Sequence, residues 1–394
     1  MRFLLFDWTV EGHHGRYLRC FAEALGNIGR VVVAAPQAIA RAVSDLPVRV
    51  VLLPSFRPPV DLLRPLGPQH RRLAISELEL MEGVVRDVQP DHLIHLSADP
   101  IIRQLVKRPS LRVSTTLFLF CPRAHYPSAY NTPLSSKERL RAWFLEYLVA
   151  RWRRRPDAYT ILTLDQEAAR RWALGHGGAH WVPEPPIGPI PDLPSDGRRS
   201  GCILYGSLAK RKGIHLLARA IALDPVPLEV TLAGSVEPGF HEELLTYVEQ
   251  MRSSGAQVHL QTNLLTESEG LTALAGARCA VLPYPQHYTM SRVLVEACSV
   301  GTPVIVHHRG LLGHLVRQNR LGVALDCLDQ SALRRELLNF CGQDLSSQYA
   351  DAHARFVRMF SRDAFEQTLK SAFPRPGTQV SRIRQQQPLT QQLL

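Results

Sequence analysis

The sequence predicts an α/β protein of two doubly wound, Rossmann-like domains that face each other across a cleft. Three observations predict it. Short apolar runs alternate with amphipathic helical patterns along the chain, the signature of βαβ units and a parallel sheet covered on both faces. The alternation is interrupted once, by the proline-rich stretch "VPEPPIGPIPDLPSDGRRSG", and then restarts. The chain has 394 residues, 45% of them hydrophobic, enough for two separate cores.

The first half opens on a strand, "RFLLFDW", followed by a helix in "GRYLRCFAEALGNIG" and a strand in "RVVVAAP". "VRVVLLP", a helix around "AISELELMEGVVRDV", and the strands "DHLIHLS" and "LRVSTTLFLF" continue the pattern. Ser135 and Glu138 have capping-box spacing at the head of the next helix. Leu140, Trp143, Phe144, Tyr147 and Leu148 share one face of it, which is expected to pack on the core. Its end is basic, with Arg151, Arg153, Arg154 and Arg155 before Pro156, and cations there suit the helix dipole. This cluster reads as a solvated face, with peripheral contact to anionic lipid as the alternative. "AYTILTLDQEAARRWALG" supplies a strand, an Asp165 cap and a helix.

Residues 1–185 thus form the first domain, 186–198 a linker and 199–345 the second domain. Helices over 346–372 are expected to return toward the first domain, and the Gln- and Pro-rich 373–394 to be a disordered tail. The second domain repeats the alternation through "GCILYGS", "GIHLLARAIAL", "LEVTLAG", "FHEELLTYVEQMRSSG", "QVHLQTNL", "ESEGLTALAGA" and "RCAVLPY", then "VLVEACSVGTPVIV" and "LLGHLVRQNRLG".

The seven cysteines form no C-x-x-C pair and read as reduced, buried thiols. Met1 leads straight into a strand, so neither a signal peptide nor a spanning segment is expected, and a cytoplasmic location follows, with the membrane surface as a second possibility. The net charge of +11 suits polyanionic partners. No zinc finger, basic zipper or RNP-type aromatic pattern is present, which sets nucleic acid aside.

Two stretches carry chemistry. In "ILYGSLAKRKGIHLL" a strand ends at Tyr205, Gly206-Ser207 make a small turn, and Lys210, Arg211 and Lys212 precede Gly213 at a helix start. Backbone N–H groups at a helix N-terminus bind phosphate, and cations beside them strengthen the grip. It is not a P-loop, because G-x-x-x-x-G-K-[ST] is absent. In "YPQHYTMSRVLVEACSVGTPVIV", Thr289 or Ser291 can cap a helix that Gly301 and Pro303 end. Glu296 sits inside that apolar helix and needs a partner: a ribose hydroxyl, or a structural bond to backbone or Arg292.

These two stretches resemble the carboxyl-terminal domain of retaining glycosyltransferases of the GT-B fold, in the large nucleotide-sugar family called group 1. The likeness extends over roughly residues 1–372 and is most specific in the second domain. It implies sugar transfer from a nucleotide diphosphate sugar to an acceptor hydroxyl with retention. The donor would be a substrate; no cofactor and no metal would be needed, because cations and helix N-termini hold the diphosphate. The acceptor would be a small molecule, a lipid or a glycan. In the family's acid-x7-acid motif the second acid falls on Glu296, which would hold the donor ribose, but the first falls on Tyr288. Main-chain groups of Tyr288, Thr289, Met290 and Ser291 could still bond sugar or phosphate. The family's phosphate-binding Arg falls on Ser207, while Lys212 matches its Lys, so Arg211 or Arg292 would replace the missing cation. The Gly-Gly loop appears as Arg309-Gly310-Leu311, with its acid lost at Gly313. Glu184 replaces the Asn of a Pro-Asn-Gly linker.

In the first domain Gly12 matches the Gly-rich turn, and His13 takes the place of its second glycine. His13 and His14 could reach the cleft, or be surface histidines. His125 is the candidate for the cleft His that positions acceptor or sugar, and His95 and Asp99 occupy another strand end on the cleft side. Two alternatives accompany this reading: a nucleotide-sugar 2-epimerase, which the lack of an acid at 288 weakens, and a non-catalytic nucleotide- or glycan-binding protein, which the losses at 207 and 288 motivate.

Overall fold

The computed structural model describes residues 1–10, 14–55, 68–174, 178–190, 198–285 and 289–373. The expected tail beyond Phe373 lies outside them, as do Gly12, His13 and Tyr288.

Two parallel sheets are present. The first contains β1 (Arg2–Phe6), β2 (Arg30–Pro36), β3 (Arg49–Leu53), β4 (His92–His95), β5 (Ser114–Leu119), β6 (Ala158–Thr163) and β7 (Gly178–Trp181), in the order β3-β2-β1-β4-β5-β6-β7. The second contains β8 (Ser200–Tyr205), β9 (Glu229–Ala233), β10 (Gln257–Gln261), β11 (Ala277–Leu282), β12 (Val304–His307) and β13 (Gly322–Leu325), in the order β10-β9-β8-β11-β12-β13. Each order reverses direction once, beside β1 and beside β8, and such reversals open a crevice at the carboxyl ends of the strands. The central strands are apolar on both faces because helices cover both: Phe3, Leu4, Leu5 and Phe6 of β1 are all buried. One apolar cluster runs on across the two sheets, joining Tyr17, Tyr126 and Val182 to Met290, Val293 and Leu312.

The loops after the strands of one sheet meet those of the other. Arg16, behind β1, pairs with Glu267, behind β10. Thr132 Oγ1, beyond β5, accepts the Gly310 N–H that opens the helix behind β12, at 2.7 Å. Of the two helices in 346–372, Ser346–Arg358 packs on the second domain's Arg292–Ser299 helix, whereas Arg362–Ala372 packs on the first domain's His14–Gly26 helix. Arg362 pairs with Glu23 at 2.6 Å, and Phe365 meets Phe21 edge-on.

Four local expectations change. The Ser135 capping box forms as expected, but the Ser136–Trp152 helix carries two apolar stripes. Ala142, Leu148, Val149 and Trp152 are buried, while Leu140, Trp143 and Tyr147 are exposed. Apolar side chains circle most of this helix, so periodicity does not choose the inner face; tertiary packing does. Arg155 is not a free surface cation: it binds Asp157 and the carbonyls of Leu105, Arg108 and Pro109. Ser291 stands at the N-cap position of the Arg292–Ser299 helix, yet its side chain makes no cap bond. The cysteines are all free: Cys202, Cys279, Cys298 and Cys327 are buried, Cys20 and Cys341 half-buried, and Cys121 is exposed.

Candidate active site

The crevice wall from the second domain is built on β8 and β11. β8 ends at Tyr205, and the turn beyond it passes so close to the β9 loop that a Cβ at Gly234 would sit 1.9 Å from Gly206 O. Gly206, Gly213 and Gly234 all have positive φ. Glycine is required where the backbone must take that shape in that space. Gly213 opens the Ile214–Ile221 helix, with Lys212 immediately before it. Lys212 is buried, its Nζ 4.0 Å from the centre of the Tyr284 ring. Burial, then the neighbouring Arg211, lowers its pKa to about 7. Arg211 itself is exposed, and Ser207 half-buried.

Behind β11 the Arg292–Ser299 helix is buried almost all round, because its apolar residues pack on every side. Arg292 and Glu296, one turn apart, are buried as a pair with Nε 2.9 Å from Oε1. The other two guanidinium nitrogens are also spent: Nη1 donates to Pro185 O at 2.8 Å, and Nη2 to Glu267 Oε1 at 2.9 Å. Glu267 Oε1 further accepts from Arg16 and from the Gly188 N–H. Two arginines and two glutamates therefore join the first domain, the linker and the second domain in one network. The Glu296 carboxyl is pushed up to about 7 by burial, an effect that Arg16 opposes and Glu267 reinforces. Of the two partners the sequence left open for Glu296, the structure supplies Arg292, and the guanidinium expected to replace a missing phosphate ligand is turned to the protein's own carboxylates. Thr289 is half-buried, and Met290 is buried in the cluster shared by the two domains.

On the first-domain side, Asp7 immediately follows β1, accepts the Thr9 N–H and lies 2.7 Å from His14 Nδ1. His14 thus opens its helix held by a carboxylate and packed on Phe120. Three residues on, the Tyr17 hydroxyl donates to Glu184 Oε2 at 2.6 Å, both groups buried. Burial, followed by the opposing Tyr17 bond, leaves the Glu184 carboxyl raised to about 7.

The remaining candidates are drawn into the first domain. His125 is buried, its Nε2 3.0 Å from Asp165 Oδ2; Asp165 also accepts from the Tyr130 hydroxyl and caps the Gln166–Ala173 helix. His95 is buried, with Nε2 3.1 Å from Glu77 and Nδ1 accepting the Ser97 N–H. Asp99 accepts the N–H groups of Phe120 and Cys121, closing the end of β5. His125 and Asp99 make structural hydrogen bonds within the first domain, His95 Nε2 lies near Glu77 without forming one, and none of the three joins the Lys212–Glu296 group. Arg16, Tyr17, Glu184, Glu267 and Tyr284 join the crevice instead. Of these the sequence flagged only Glu184, as a departure; the others rest on long-range pairings that no local spacing reveals. Among the described residues one group of metal-ligating type exists, His307, His308 and Asp326, with ligand atoms within 4.8 Å of one another. His307 Nδ1 there already accepts the Cys327 N–H.

Residues 199–342 match the model of the family described as "Glycosyl transferases group 1". No curated protein matches the sequence. Solved structures share the fold across 94% of the chain and 98% of their own. They include a sucrose-phosphate synthase from Thermosynechococcus elongatus (18% identity, TM-score 0.67) and HepE of Anabaena in complex with UDP and glucose (16%, 0.63). WaaG, a glycosyltransferase involved in lipopolysaccharide biosynthesis, aligns over the same shares (15%, 0.61). The two parallel sheets share the fold of the GT-B glycosyltransferase structures, and residues 199–342 of the second domain are similar to the group 1 glycosyl transferase family.

Proposed function

We propose that the chain is a glycosyltransferase that moves a sugar from a nucleoside diphosphate sugar to an acceptor hydroxyl, with retention and without a metal. The bond from the anomeric carbon to the diphosphate oxygen breaks, a bond to the acceptor oxygen forms, and the acceptor proton leaves. The observation that carries the reading is Lys212, inside the matched domain. It is buried at a helix start with no carboxylate at ion-pair distance among the described residues, and burial holds its pKa near 7. A buried cation is costly unless an anion meets it, and a diphosphate on the Gly213 turn would do so. That anion would also raise the Lys212 pKa and fix the charge, which is what a departing diphosphate needs. The complexes of HepE with UDP-glucose and with UDP support a donor of this class.

A second reading, nucleotide or glycan binding without transfer, is favoured by one observation: Arg292 and Glu296 are spent on each other, with Arg292 also held by Pro185 O and Glu267. A panel of nucleoside diphosphates and nucleotide sugars, screened by thermal shift and then for hydrolysis or transfer with and without EDTA, separates the two. Ligand at a hundred times its Kd should stabilise by about 2.7 kcal/mol. If no member shifts melting, the transfer reading fails at its first step; a shift without turnover favours binding alone. Loss of turnover in EDTA would overturn the metal-free part.

A further inference from the structure

Three of the seven cysteines gather at one point of the second domain, where sugar transfer has no use for them. Cys202 of β8 and Cys279 of β11 stand opposite each other in the strand register. Strand side chains alternate between faces, so both thiols join the cluster of Leu204 and Val281, on the face away from Ile203, Ala280 and Leu282. The Gln330–Gly342 helix packs on β8 and β11 there, and its penultimate residue is Cys341. Cys341 packs against the same cluster but is only half-buried, whereas Cys202 and Cys279 are buried. Arg278, next to Cys279, fastens the end of the helix: its Nη1 donates to Cys341 O and its Nε to Arg199 O. The Cys202 thiol, and with it the Cys279 thiol, bonds to the Cys341 sulfur, which holds the Cys341 pKa down against burial, with help from Arg278. The same bonds, together with burial, push the Cys202 and Cys279 thiols up.

We infer that these thiols form an oxidation site, at which Cys341 is joined reversibly to Cys202 or Cys279 and the Gln330–Gly342 helix is locked to the sheet. The thiolate is the reactive form of cysteine, and it is favoured here on the one thiol of the three that solvent reaches. A reachable thiolate beside a second thiol is the arrangement that peroxide converts to a disulfide. The Cys341 thiolate attacks one oxygen of hydrogen peroxide; the O–O bond breaks, a sulfenic acid forms and hydroxide leaves. The sulfur of a neighbouring thiol then attacks the sulfenic sulfur, the S–S bond forms, and its proton leaves with the displaced hydroxide as water. In sum two thiols lose two electrons and two protons, and one peroxide becomes two waters. A small dithiol reverses the bond by exchange. Either pairing closes a long loop of the unfolded chain, so the bond should stabilise the second domain. Cys202 and Cys279 lie three residues short of the strand ends Tyr205 and Leu282, on the face away from the cluster shared by the two domains. The site therefore needs no donor sugar and stands apart from the transfer reading.

The test is treatment of the full chain with limiting hydrogen peroxide. Two of the seven thiols should be lost, counted after denaturation. Peptide mass spectrometry without reductant should find Cys341 linked to Cys202 or Cys279, and the melting temperature should rise by about 5 °C or more. Dithiothreitol should reverse all three changes. Cys341→Ser should melt near the wild-type value under dithiothreitol and lose both the link and the rise. Cys121→Ser, which removes the exposed thiol of the first domain, should keep both. In the oxidised wild type, sulfinic or sulfonic acid at Cys341 with no link, or a link through Cys20 or Cys121 in its place, overturns the inference without recourse to a variant. A mapped link at Cys341 that leaves melting unchanged overturns the lock.

Discussion

Arg292 is the group whose removal should tell most about the crevice. Its guanidinium makes three hydrogen bonds, to Glu296, Pro185 O and Glu267, and both it and Glu296 are buried. Arg292→Met keeps the packing stem and deletes the charge. Glu296 is then a carboxylate in an apolar helix without its nearest cation. Breaking a buried pair by removing one partner costs about 3–5 kcal/mol. Glu296→Met should cost less, because Arg292 keeps Glu267 and the Pro185 carbonyl. The double variant should fall well short of the sum of the singles, with a coupling of about 2 kcal/mol or more.

The pH dependence has a definite sign. Burial already raises the Glu296 pKa above its unfolded value, to about 7, and losing Arg292 raises it further. A raised acid contributes stability that is present below the unfolded pKa and is lost as pH rises through the folded pKa. The Arg292→Met deficit should therefore be larger at pH 8 than at pH 5.5. Urea unfolding of the full chain supplies the assay. All five tryptophans, Trp8, Trp143, Trp152, Trp172 and Trp181, lie in the first domain, so fluorescence reports that domain and far-ultraviolet dichroism reports both. Because the network ties Arg16 and the linker to Glu267, both transitions should move. A deficit under about 1 kcal/mol, equal at the two pH values, or additive with Glu296→Met, would refute the paired-charge account.

Other expectations follow from the same geometry. Lys212→Met should reduce or abolish the thermal shift given by UDP, and in wild type that shift should grow from pH 8 to pH 6 as Lys212 gains its proton; a pH-independent shift would remove Lys212 from the phosphate site. Tyr17→Phe leaves the buried Glu184 carboxyl without its donor and should destabilise by about 1–3 kcal/mol above pH 7, less at pH 5, in the same urea assay. Gly234→Ala puts a Cβ against Gly206 O at positive φ and should lower melting by several degrees, whereas Ala at Gly26, where nothing crowds a Cβ, should leave it nearly unchanged.

What the sequence discloses follows from the range of the forces involved. β1, β8 and β11 are legible because a strand buried on both faces must be apolar throughout, and the Ser135 and Asp165 caps are legible because capping is a rule of three-residue spacing. Lys212 and Gly213 are legible for the same reason: a strand, a tight turn and a helix start within ten residues. The outward turn of Trp143 is not, because the Ser136–Trp152 helix offers two apolar stripes and only the partner surface selects one. Nor is the Arg16–Glu267–Arg292–Glu296 network, whose members come from residues 16 to 296 and meet only once both sheets are built.

That network also bears on how the crevice could work. Glu267 is held at once by Arg16 from the first domain and Arg292 from the second, with the Gly188 N–H from the linker beside them. The Arg16–Glu267 pair is about a quarter exposed on each side, and ion pairs that water reaches are worth about 1 kcal/mol or less. The Arg292–Glu296 pair is buried, and leaving either partner alone there costs about 3–5 kcal/mol. Separating the domains therefore breaks the weak pair and keeps the strong one. A diphosphate arriving at Lys212 would meet a wall that Arg292 keeps rigid, while Arg16 is the one cation of the network that domain movement sets free. Arg16→Gln should then leave urea unfolding of the second domain nearly unchanged and weaken the UDP thermal shift. The opposite pattern, full UDP binding with a destabilised second domain, would make Arg16 a structural strut and assign the diphosphate to Lys212 and the Gly213 turn alone.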